Sequence, residues 1–186
     1  MIPRISGIRA LAALLLVGVL AAPLAAAPAA AAEVEGFRSA RFGMNEAQVR
    51  QAIARDFKLT GKKVTEGRNL AEKTTILVIR VQDLLPNSGL SQVTYTLGYK
   101  TKGLIQVDVL FGQPLEKTVK AKELWANAVI LQRTLAQKGF DKDQMVVNKP
   151  TARPGLILLF RGVDKAGRTV ALLGSFSLYH QIFLSL

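Results

Sequence analysis

Two runs of strict alternation do more than any other feature to limit what this chain can fold into. Val93, Tyr95, Leu97 and Tyr99 alternate with Gln92, Thr94, Thr96 and Gly98. After a turn over residues 100–103, Ile105, Val107, Val109 and Phe111 alternate with Gln106 and Asp108. Successive side chains of a strand point to opposite faces, so period two over both runs predicts an antiparallel hairpin with one buried and one wet face. By this register Tyr95, Tyr99 and Ile105 belong to the core, while Gln92, Thr94, Thr96, Gln106 and Asp108 face outwards.

Further strands follow from composition. Residues 75–81 are β-branched and apolar on both faces, as in a buried strand, and 84–89 read as a turn. Residues 156–161, 168–176 and about 180–184 read as three more strands, the first two joined by the tight connection Asp164-Lys165-Ala166-Gly167. Residues 58–73 read as a polar connection, and 144–154 as a loop with a short extended piece at 145–147.

Two helices punctuate these strands. In the first, Asn45 is an N-cap, Gln48 completes a capping box, and Met44 and Val49 occupy the staple positions. Glu46 and Arg55 suit the helix dipole, and Val49, Ala52, Ile53 and Phe57 make one apolar stripe. The second is expected to start at Pro114 and residues 115–117, run to about Lys138 and stop at Gly139. Its stripe is Ala121, Leu124, Ala128, Leu131 and Leu135, widened by Val129 and by Trp125, which reads as core. The predicted order is helix–strand–strand–strand, twice, in halves of about 36–112 and 113–186. This is an α+β domain: an antiparallel sheet covered by helices on one face, in tandem helix-strand-strand-strand halves.

The run Phe42-Gly43-Met44-Asn45-Glu46-Ala47-Gln48-Val49 resembles the Gly-Met-(Ser/Thr/Asn)-x-x-x-Val helix start of the small outer-membrane assembly lipoproteins (SmpA/OmlA, BamE-like). The same start is similar to that of the β-lactamase-inhibitor-protein type of fold. The resemblance covers about eight residues of the 186 and implies helices on one face of a small antiparallel sheet, in proteins that act by binding other proteins. The chain departs from the lipoproteins in having no cysteine to carry a lipid.

Residues 1–32 read as a secretory signal peptide. Arg4 and Arg9 form a basic start, Ala10 to Ala22 an apolar stretch, Pro23 and Pro28 break it, and Ala30-x-Ala32 offers a small-residue cleavage site. Residues 33–186 are then a single domain, expected in a periplasm, with no transmembrane span in the mature chain. Losing Arg4 and Arg9 leaves 23 Lys+Arg against 13 Asp+Glu, a net charge of +10. That balance attracts anionic surfaces such as lipopolysaccharide or acidic lipid. Nucleic acid is not the expected partner, because no aromatic residues interleave with the basic ones.

Chemistry-bearing patterns are missing. There is no cysteine and a single histidine, His180, so thiolate and multi-histidine metal sites are excluded. Ser175 and Ser177 lie in no Gly-x-Ser-x-Gly context. Asp108, Asp141, Asp143 and Asp164 read as solvated carboxylates balancing basic neighbours. The expectation is a protein without catalytic residue, cofactor or metal: an envelope protein-binding accessory or inhibitor-like module. The outward residues Gln92, Thr94, Thr96, Gln106 and Asp108 are the candidate partner-binding set. Lys100 and Lys102, in the turn, are the candidates for the alternative, a basic binder of anionic envelope components.

Overall fold

The computed structural model describes residues 31–175 and 180–186. Of the leader expected over residues 1–32, residues 1–30 lie outside them, as do Phe176 and Ser177 near the other end. The described chain runs β1 (Gly36–Phe37), β2 (Ala40–Arg41), α1 (Glu46–Phe57), β3 (Thr65–Asn69), β4 (Thr74–Gln82), β5 (Leu90–Leu97) and β6 (Leu104–Gly112). It continues with α2 (Ala121–Ala136), β7 (Met145–Pro150), β8 (Leu156–Val163), β9 (Thr169–Ser175) and β10 (Gln181–Ser185). Eight strands form one antiparallel sheet in the order β3-β4-β5-β6-β10-β9-β8-β7. The architecture is α+β. Two meanders, β3–β6 and β7–β10, join where their last strands pair, with Phe183 opposite Leu110.

Local chemistry explains α1. The Asn45 side chain accepts from the Gln48 N–H, and the Asn45 N–H donates to Gln48 Oε1, both at 3.0 Å. Val49, Ala52 and Ile53 of this helix are buried, and Met44 and Phe57 pack against the core they join. The second helix differs from its expected span. The N–H groups of Leu115 and Glu116 both donate to the Gly112 carbonyl, and Thr118 Oγ1 donates to the Glu116 carboxylate at 2.6 Å. Residues 113–118 are thereby held in turns, and the helix begins only at Ala121.

Three strands follow each helix in the sequence reading, and the structure has four. The strand missed is β3, in the predicted polar connection; β7 extends the short piece expected at 145–147 to a full strand, Met145–Pro150. Both are sheet edges. An edge strand needs one neighbour and tolerates polar residues and proline, so neither Thr65–Asn69 nor the Asn148-Lys149-Pro150 end of β7 carries an apolar alternation.

Three core assignments also change. A register shift at Thr96/Leu97 sets Leu97 opposite Leu104, so Leu104 takes the core position and Ile105 is 52% exposed. Tyr99 falls beyond the end of β5 and is 51% exposed, with Lys73 Nζ at 5.7 Å and Lys102 Nζ at 4.8 Å from its ring centroid. Trp125 is 46% exposed rather than core. Asn127 takes an inward place on α2 instead, where it is buried and donates to the Pro86 carbonyl at 2.8 Å.

Tyr95 is buried as expected, but its hydroxyl has no hydrogen-bond partner among the described residues. Burial, reinforced by the Asp56 carboxylate and opposed by Arg38, pushes that hydroxyl well above its ordinary value. A buried donor without a partner carries its full desolvation cost. Tyr95→Phe should therefore leave the unfolding free energy unchanged or raise it by up to about 1 kcal/mol, read by urea unfolding. A loss above about 2 kcal/mol would mean that the hydroxyl is satisfied after all.

The β8–β9 turn corrects the reading of Asp164 as a solvated carboxylate. Asp164 is only 7% exposed. Its Oδ1 accepts from the N–H groups of Ala166 (2.9 Å) and Arg168 (2.8 Å). Its Oδ2 accepts from the Val34 N–H (2.9 Å) and from Arg168 Nε (2.8 Å). One side chain closes the hairpin and ties down the start of the domain.

Candidate partner-binding face

The sheet has two unlike faces. Leu77, Ile79, Val93, Tyr95, Val107, Val109, Leu172, Ile182 and Leu184 are buried, together with α1 and α2 residues, in one core. Their alternates along each strand point the other way. The sequence-predicted residues Gln92, Thr94, Thr96, Gln106 and Asp108 are among those alternates, and the pairing of β5 with β6 brings them together: Thr94 lies opposite Asp108, and Thr96 opposite Gln106. Thr96 departs from the expectation of a wet face, since it is buried beside the β5 bulge. Gln106 Nε2 donates to both Asp108 carboxylate oxygens, at 3.0 and 2.9 Å. Across the joint with β10 it also reaches Ser185 Oγ at 3.4 Å.

That joint carries the face into the second half of the chain. Following the register sideways gives one row across seven strands: Arg80, Gln92, Leu110, Phe183, Leu173, Leu158 and Lys149. The four central residues are apolar and half-buried, and Arg80 and Lys149 at the two ends are exposed. In the adjoining row Val78, Thr94, Asp108, Ser185, Ala171, Arg161 and Val146 follow one another. The face is thus an apolar strip with cations towards both margins and Asp108 near its middle. To one side of the strip, at the start of β6 and β9 and the end of β10, a hollow of about 450 Å³ is lined by Phe42, Leu104, Ile105, Gln106, Ser185 and Arg168, among others.

Lys100 and Lys102 are elsewhere. Lys102 lines a separate hollow with Asn45, Glu46, Thr75 and Leu97, at the N-terminus of α1. Thr75 and Leu97 pair on the core side of the sheet, so this lysine stands on that side, near the start of α1, and Lys100 is exposed in the same turn. Sequence reasoning missed Arg80, Leu110, Lys149, Leu158, Arg161, Leu173 and Phe183. The signal in the second half was that its strands are apolar at consecutive positions, as in Leu156-Ile157-Leu158-Leu159-Phe160, so both faces there carry hydrophobic side chains.

Chemically the face offers apolar contact area, amide and hydroxyl hydrogen-bonding groups, and peripheral positive charge. Among the described residues no group of three or more His, Cys, Asp or Glu could hold a metal ion. No helix among them is long and apolar enough to cross a membrane. Comparison with protein-family models, with curated proteins and with solved structures finds no match.

Proposed function

We propose that this protein is an exported, non-catalytic binding module that docks a protein partner on the open face of its sheet. In this reading both helices lie against the core side, which leaves the strip through Leu110, Phe183, Leu173 and Leu158 uncovered by the chain's own elements. The apolar row with a cation at each end carries the proposal. Its complement is a partner surface with an apolar centre and carboxylates around it, with one bulky side chain for the 450 Å³ hollow. The resemblance of the α1 start to protein-binding families points the same way.

A second reading rests on a different observation. Lys73 and Lys102 both lie over the Tyr99 ring, and Lys100 is in the same turn. This basic cluster, on a chain with an excess of cations, suits an anionic envelope component such as lipopolysaccharide or acidic lipid.

In-cell crosslinking and pull-down of the C-terminally tagged full chain separates the two. Recovery of one dominant protein partner, resistant to about 0.5 M salt, supports the docking module, because a dry apolar contact is barely screened. Recovery of anionic lipid alone, lost at that salt, supports the second reading and removes the first.

A further inference from the structure

We infer that the leader is cut between Ala31 and Ala32, one bond earlier than the Ala30-x-Ala32 pattern suggests, and that the mature chain begins with Ala32 seated in the fold. The inference rests on the export reading of residues 1–32 and deepens it with an observation from the folded domain. Ala32 is not a spent leader residue. It is 6% exposed, belongs to the hydrophobic core, and its N–H donates to the Gly139 carbonyl at 3.1 Å. Two residues on, the Val34 N–H is held by the buried Asp164 carboxylate at 2.9 Å. Together these bonds lay residues 32–34 against the end of α2 and the β8–β9 turn.

A cut after Ala32 would remove a buried methyl group and a hydrogen bond, and would place a new charged amine beside the buried Val34. A cut after Ala31 keeps the methyl group and the hydrogen bond, and places the new charge at Ala32 instead of Glu33. Ala29-x-Ala31 meets the same small-residue requirement as Ala30-x-Ala32. The step is hydrolysis of the Ala31–Ala32 peptide bond by a leader peptidase during export, before the domain folds: one water is consumed, Ala31 leaves as a carboxylate, and Ala32 gains an α-ammonium. That ammonium keeps the donor to Gly139, and a charged donor makes the stronger bond. The hollow of about 420 Å³ beside Ala32 is lined by two carboxylates, Asp141 and Asp164, and one cation, Lys165, a balance of charge that favours the ammonium.

Two measurements test this. The intact mass of the full chain, exported by a bacterial host and purified from the periplasm, should correspond to residues 32–186. A start at Glu33, or at any other position within the chain, overturns the cut alone; an unprocessed 186-residue mass overturns the export reading and the cut together. Independently of export, chains released from a cleavable tag to begin at Ala32 or at Glu33 should differ in Tm by about 3 °C or more, with the Ala32 chain the higher. Equal Tm values overturn the seat.

Discussion

Replacing Asp164 with alanine should lower the unfolding free energy by about 3 kcal/mol, a large effect for a residue in a hairpin turn. The reason is the number of groups that converge on it. Its two oxygens serve three backbone N–H groups, those of Val34, Ala166 and Arg168, and the Arg168 guanidinium. Leaving a buried donor unsatisfied costs about 1–3 kcal/mol; Val34 is itself buried and carries that cost in full, whereas the exposed Ala166 can turn to water. The same network sets a pH dependence. Desolvation pushes the Asp164 carboxyl up, but the hydrogen bonds from Val34 and Arg168 and the charge of Arg168 outweigh it and hold the group below its ordinary value. A carboxyl depressed in the folded state contributes stability above its unfolded value of about 3.9, and loses it as pH falls through the folded value. Urea unfolding of the wild type and Asp164→Ala should therefore show a gap that is full at pH 7 and narrows below about pH 4. A gap under about 1 kcal/mol at pH 7, or one unchanged on acidification, would mean that the carboxylate does not hold the turn.

Much of this fold was legible where its causes are local. The α1 start was read correctly because a capping box acts within a few residues of chain. The β5–β6 hairpin was read from alternation alone, but its bulge was not, since no residue type announces that Leu104 rather than Ile105 will pair with Leu97. What sequence could not supply were consequences of contacts made far along the chain. Asp164 looked like a turn residue, and it is one; it also holds the Val34 N–H, 130 positions away. Trp125 sits about 100° round the helix from Leu124, and the inward place went to Asn127, whose buried amide is satisfied by the Pro86 carbonyl. The candidate face was half legible for the same reason. Gln92, Thr94, Thr96, Gln106 and Asp108 follow from period two. Leu110, Phe183, Leu173 and Leu158 become a strip only because β6 pairs with β10, which nothing within either strand dictates.

The strip gives the second large effect: Phe183→Glu should weaken capture of the protein partner by about 100-fold or more. Phe183 stands at the middle of the row, between Leu110 and Leu173, where a docked surface would exclude water most completely. An aromatic anchor at such a centre contributes about 2 kcal/mol or more when truncated, and a carboxylate in its place adds the cost of burying an unpaired charge. Phe183 is half-buried in the free protein, so the substitution could also perturb the sheet. Thr94→Glu, at a polar position one row away on the same face, is the control that separates the two effects: it should weaken binding at least about tenfold while Tm stays within about 2 °C of the wild type. Lys100→Glu combined with Lys102→Glu, in the β5–β6 turn away from the strip, should change partner binding by less than about threefold, because exposed charges outside a contact act mainly through screened, long-range steering. The measurement is affinity for the crosslinked partner at two salt concentrations. If the lysine pair removes binding and the two glutamates on the face do not, the protein works through its basic turn, and the open sheet is not its docking surface. If all three variants bind as the wild type does, neither surface is the site.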